Sequence, residues 1–148
     1  MSKLLIDGYN LIGIFHKDLK KARQELIEEL IRYGNKKGHE ITVVFDGYKE
    51  GPGKETVEYR GGVRIIYSGA NEKADDIIKR ILSNEKFLWI VITSDKEIEK
   101  AAWKENCVAV ESSVFFDILN GEEFYFEQKK GMTLSKKQKA ILRAIAKL

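Results

Sequence analysis

Apolar residues in this chain gather into short uninterrupted runs, and between the runs they recur every three or four positions. Runs at 3–6, 41–45, 63–67 and 87–93, with a shorter one at 107–110, predict strands buried on both faces. Leu19, Ala22, Leu26, Ile27, Leu30 and Tyr33 fall at helical spacing and predict a helix over 18–37. Ala74, Ile77, Ile78 and Ile81 do the same for 72–82, and shorter helices are predicted over 96–104 and 113–119. Strands alternating with helices imply an α/β fold, a parallel sheet of about five strands flanked by helices.

One stretch departs from the alternation. Residues 56–60 are β-branched and aromatic and lead into Gly61-Gly62, a pair suited to a two-residue turn, so a small hairpin is expected ahead of the third parallel strand. The loop at 47–54, with the only proline, Pro52, among glycines and lysines, reads as mobile. Ser135 and Gln138 form a capping-box pattern that starts a last helix running to about residue 147.

At 148 residues the chain suits one hydrophobic core. We read residues 1–121 as the domain proper and 122–148 as a basic extension packed on or next to it. From Lys129 onward there are seven basic residues and no acidic ones, which turns a net charge of +3 into −4 for the rest of the chain. That tail fits either a polyanion partner or a solvated amphipathic helix. No apolar run approaches the roughly 18 residues of a membrane span, and Met1 leads into a strand pattern, so a cytoplasmic protein is expected. One cysteine, Cys107, and two distant histidines, His16 and His39, do not make a zinc site, so any metal would be held by oxygen.

Chemistry is expected at the carboxyl ends of the parallel strands, where loops face one crevice. The first strand runs into Asp7-Gly8-Tyr9-Asn10, the second into Asp46-Gly47 and the fourth into Thr93-Ser94-Asp95. The third leads through Ser68-Gly69-Ala70 to a helix whose first turn carries Asp75 and Asp76. Aspartate also caps helices and turns; Asp18 and Asp117 read that way, and a plain turn accounts for Asp46-Gly47 equally well. As a set, carboxylates at one edge repel one another unless cations neutralise them, and Mg²⁺ or Mn²⁺ suits such ligands. At 100° per residue Asp75 lies at the margin of the buried stripe and Asp76 points away, which makes Asp75 the better ligand and Asp76 its substitute. Asn10 suits either a contact to a bound water or phosphate, or a brace for its own loop.

The segments Leu5-Ile6-Asp7-Gly8-Tyr9-Asn10-Leu11-Ile12, Val44-Phe45-Asp46-Gly47-Tyr48, Ala74-Asp75-Asp76-Ile77-Ile78 and Val91-Ile92-Thr93-Ser94-Asp95, in this order, resemble the NYN domain in its bacterial YacP-like branch. The resemblance spans roughly residues 4–121. It implies a PIN-like, Rossmann-like sheet, an acidic metal site and endonucleolytic cleavage of RNA, with some relatives working in association with ribosomes. It carries Asp7, Asp75 and Asp95 over as the core acidic set, Asp46 as an added acid and Asn10 as a polar member of the motif.

The expected activity is therefore metal-dependent endoribonuclease, with RNA as partner and no organic cofactor. For substrate grip we nominate Lys49, Lys54, Arg60, Arg64, Lys136, Lys137 and Lys139, because phosphate contacts hold a strand without reading its sequence. Tyr9 and Tyr48 suit base stacking or packing on the sheet edge. Trp89 and Trp103 are expected in the core, and His16 and His39 on loops away from the chemistry. The alternative is a non-catalytic RNA- or ribosome-binding module of the same fold. An aspartyl-nucleophile phosphotransferase is disfavoured by Tyr9, which occupies the place of a second acid, and an NTPase by the lack of a Gly-x-x-x-x-Gly-Lys loop.

Overall fold

The computed structural model describes residues 2–12, 18–47 and 53–148. His16, Tyr48, Lys49 and Pro52 lie outside the described residues.

The central strand, β1 (Lys3–Asp7), is buried along nearly its whole length and is followed at once by the short helix α1 (Gly8–Ile12). The long helix α2 (Leu19–Lys37) starts where the Asp18 side chain accepts from the Lys21 N–H at 3.1 Å, and it ends at Gly38, whose φ of 72° fits the left-handed cap that glycine supplies. Next come β2 (Glu40–Phe45), β3 (Thr56–Arg60), β4 (Val63–Tyr67), α3 (Ala74–Asn84), β5 (Trp89–Ile92), α4 (Lys96–Lys104), β6 (Val108–Val110), α5 (Ser112–Leu119) and α6 (Lys136–Lys147).

The sheet has six strands in the order β3-β4-β2-β1-β5-β6. The five strands expected to be parallel are so, and β3 adds an antiparallel edge through the Gly61-Gly62 turn. The chain builds outward from β1 to β2 and β4, then returns to lay β5 on the other side of β1. Strand order thus reverses at β1, the point where crevices form in open α/β sheets.

Alternation along each strand divides the core in two. Leu4, Ile6, Val43, Phe45, Ile65 and Ile92 face α2, while Leu5, Val44, Ile66 and Val91 face α3 and α4. Ala144 and Leu148 join the first cluster, which docks α6 on the domain. Trp89 is in the core as expected, but Trp103 is only partly buried.

Several element boundaries differ from the sequence reading. The fifth strand begins at Trp89, because Phe87 and Leu88 are exposed and Phe87 packs edge-on against the Trp89 ring. The third helix begins at Ala74 instead of residue 72, for reasons set by its capping. Asp117 lies inside α5 and is no cap. The helix α1 was not anticipated, since five residues are too few to show a period.

Docking of α6 rests on small apolar contacts such as Ala144, which is 4% exposed. Ala144→Asp places an unpaired carboxylate there and is expected to cost about 1–3 kcal/mol. Amide exchange should then accelerate across residues 136–147 while β1, β2 and β5 stay protected.

Candidate active site

Asp7 ends the central strand and is 9% exposed. Its Oδ2 accepts a hydrogen bond from the Thr93 hydroxyl at 3.3 Å, and the same hydroxyl oxygen accepts from the Asp95 N–H at 3.1 Å. Thr93 is fully buried and so ties the ends of the two strands at the reversal point together. The sequence alone assigns Thr93 no role. Its signal was the residue type, since a hydroxyl at the end of an otherwise aliphatic strand needs a polar partner.

The other acids arrive through helix starts. Asp95 is the N-cap of α4, and its Oδ1 accepts from Glu97 N–H at 2.8 Å and Ile98 N–H at 3.3 Å. Asp46 reaches across from β2, and its Oδ1 accepts from the Ala74 N–H at 2.7 Å, at the first residue of α3. Asp75 follows on the partly buried side of that helix, while Asp76 is exposed and folds back to accept from the Lys73 N–H at 3.1 Å. Asp76 therefore serves its own helix and does not join the set around Asp7.

Burial pushes the Asp7 carboxyl up to about 7, with Asp75 the largest charge effect and Asp46 and Asp95 adding to it, against the lowering effect of the Thr93 hydroxyl. The edge thus gathers four of the five predicted acids into mutual electrostatic reach. Among the described residues none of the four is in an ion pair. Also among the described residues, no three carboxylate, imidazole or thiol groups are arranged to hold a metal by themselves, so the set is looser than the closed cluster expected.

Glycine follows two of these acids for a steric reason. A Cβ on Gly8 would come within 2.3 Å of the Phe45 ring, and one on Gly47 within 1.9 Å of the Ser68 carbonyl oxygen. Gly47 N–H also donates to the Ser68 hydroxyl at 3.0 Å, which fixes the turn that carries Asp46.

Asn10 braces its surroundings. Its Oδ1 accepts from the Ser94 N–H at 2.7 Å and from the Ser112 hydroxyl at 2.6 Å, joining α1 to the turn before Asp95 and to α5. Tyr9 packs edge-on against Phe45 at 5.3 Å, and its hydroxyl accepts from Arg23 Nη1 at 2.6 Å. Arg23, whose guanidinium also lies 5.6 Å from the Tyr67 ring centroid, is a cation at this end of the sheet that the sequence alone does not single out.

Most of the nominated basic residues are elsewhere. Arg64 is the second residue of a parallel strand, so it sits at the entry end of the sheet, where it pairs with Glu85 at 3.1 Å and donates to the Thr42 hydroxyl. Arg60 lies beside the hairpin turn at that same end, bound to Glu58 and Gln24. Lys137 stands 5.0 Å over the ring of Trp103 in the last turn of α4, and the far end of α6 meets Tyr33, whose hydroxyl donates to the Leu148 carbonyl. Lys136, Lys137 and Lys139, which open this helix, therefore lie away from Asp7. Lys54 follows Gly53, whose carbonyl accepts from the Ala70 N–H, so its backbone runs beside the loop between β4 and α3. His39 lies at the entry end, its Nδ1 accepting from the Ser2 N–H at 3.2 Å.

The family model of the YacP-like NYN domain matches residues 4–147. The chain belongs to that family. As a YacP-like NYN domain it falls within a nuclease-like superfamily, and the match runs through α6. It is similar to a crystal structure of Rae1 (YacP) from Bacillus subtilis, a point mutant, at 27% identity over 82% of this chain and 76% of that one, with a TM-score of 0.66. A second crystal structure of Rae1 gives 27% identity, 82% and 75% coverage and a TM-score of 0.63. No curated protein matches the chain. Among the described residues no helix is long and apolar enough to cross a membrane.

Asp7 binds its proton more tightly folded than unfolded, where its value is near 3.8, so it contributes stability at low pH that is lost as pH rises through about 7. In metal-free buffer Asp7→Asn should be more stable than wild type at pH 8, by on the order of 2–4 kcal/mol, with the gap closing toward pH 4. Urea denaturation across that range reads it, and a constant gap would contradict it. Gly47→Ala should cost about 2 kcal/mol in the same assay, because the added methyl meets backbone that cannot rotate away.

Proposed function

We propose that this YacP-like NYN domain is a metal-dependent endoribonuclease that hydrolyses phosphodiester bonds in single-stranded or messenger RNA in the cytoplasm, with the ribosome as a partner. One observation carries the reading. The buried carboxylate of Asp7 lies in the field of Asp75 and Asp95 at the exit end of the sheet, and no ion pair among the described residues offsets their charge. Such a charge deficit suits a divalent cation, and the all-carboxylate donor set suits Mg²⁺ or Mn²⁺.

Asp7, Asp75 and Asp95 are the residues that would hold the ion. Among the described residues no three carboxylate, imidazole or thiol groups stand together as a ligand set by themselves. When bound, the ion supplies neutralising charge at the phosphate and acidifies the attacking water. The remaining work belongs to the chain. Thr93 holds one oxygen of Asp7 and the backbone of Asp95, so the two carboxylates keep a fixed spacing. Asn10 fixes the turn before Asp95 through Ser94 and Ser112. Lys54 and Arg23 supply positive charge on the rim where a phosphate backbone would pass. Water adds to phosphorus, the bond to the 3′ oxygen breaks, and the proton leaves with that oxygen, giving a 5′-phosphate and a 3′-hydroxyl.

A second reading, an RNA- or ribosome-binding module that does not cleave, is favoured by the lack of a closed three-ligand cage among the described residues. Cleavage of labelled single-stranded RNA separates the two. Wild type should cut with Mn²⁺ or Mg²⁺ and stop with chelator, and Asp7→Asn should lose about 100-fold or more in rate while still binding RNA. Binding without metal-dependent cleavage by wild type, alone or with ribosomes, would leave the binding module as the answer.

A further inference from the structure

The start of α3 is capped from outside the helix. Its N-cap position is held by Lys73, a side chain with no acceptor oxygen, so the N–H groups of the first turn must find partners elsewhere. Asp76 takes the Lys73 N–H, and Asp46, from 28 residues away and from another strand, takes the Ala74 N–H at 2.7 Å. Ala74 is 3% exposed, so water does not serve that amide in place of Asp46. The residue that follows is Asp75, which exerts the strongest charge effect on Asp7.

We infer that Asp46 is a positioning residue: it caps α3 across the sheet through the Ala74 N–H and thereby fixes the helix start that carries Asp75, instead of lending its own charge to the reaction. The catalytic half of this inference rests on the nuclease reading above, whereas the capping half does not. Gly47 supports it, because the Ser68 carbonyl and hydroxyl lock the turn that aims the Asp46 carboxylate at α3.

A cap needs an acceptor oxygen and no charge, since asparagine caps as well as aspartate does. Asp46→Asn keeps the acceptor, and Asp46→Ala removes it. In the full chain with Mn²⁺, Asp46→Asn should cleave single-stranded RNA within about threefold of wild type, while Asp46→Ala should lose about 10- to 100-fold in kcat with KM little changed. In metal-free protein, amide exchange at Ala74 and Asp75 should quicken at least about fivefold in Asp46→Ala and stay near wild type in Asp46→Asn. Loss of cleavage in Asp46→Asn equal to that in Asp46→Ala would overturn the inference, because the charge would then be what matters. Unchanged exchange in Asp46→Ala would overturn it as well. Should Asp46→Ala not fold, Asp46→Asn carries the test: native cleavage and exchange uphold it, and loss of either overturns it. If wild type cleaves nothing, the nuclease reading falls on its own and the exchange comparison still decides whether Asp46 caps α3.

Discussion

A carboxylate at the buried end of the central strand is the constraint around which this edge of the molecule is arranged. Asp7 is 9% exposed and lies in the field of three more acids, which by itself would destabilise the fold. The topology supplies part of the compensation. In a parallel α/β sheet each helix begins where a strand ends, so the positive ends of helix dipoles gather at the same edge as the strand-end aspartates. Asp95 sits on the N-terminus of α4, and Asp46 on that of α3. Acids and helix starts are therefore one arrangement, because the N–H groups that need acceptors are the groups that tolerate negative charge.

Much of this was legible in the sequence, for identifiable reasons. The parallel strands are short, mostly apolar runs of the kind that burial on both faces produces, and a polar residue at or just after the end of each marks the exit edge. The helical angle separated Asp75 from Asp76, and the structure places them accordingly, Asp75 partly buried and acting on Asp7, Asp76 exposed and capping. The hairpin was legible from Gly61-Gly62. What escaped was long-range pairing. Nothing local in Asp46-Gly47 reveals an amide 28 residues downstream, so the start of α3 was placed two residues early. The role of Thr93 is hidden for the same reason, since its partner Asp7 lies on a neighbouring strand.

The basic residues were misplaced for a different reason, because their position could have been deduced. Arg64 is near the start of a parallel strand, and the start of a parallel strand is at the end opposite the acids. Arg60 flanks the turn that precedes it. Counting charge along the chain had suggested a grip, but strand direction decides which end of the sheet a residue occupies. Arg64 instead stabilises the entry end locally, through a bidentate pair with Glu85 that closes on the last turn of α3.

That separation also bears on how a polyanion would meet the molecule. The cations that open α6 lie away from the exit edge, so they do not offset the four acids there. Surface charges separated by more than roughly 10 Å are largely screened at ordinary ionic strength. The basic residues of α6 therefore do not lower the repulsion that a polyanion would meet at Asp7. What lowers it must act within a few ångströms, and the local resources are the N-termini of α3 and α4, on which Asp46 and Asp95 sit. On the reading proposed above, a polyanion and a divalent cation at the exit edge would favour each other's binding, each offsetting charge that the other would otherwise face alone.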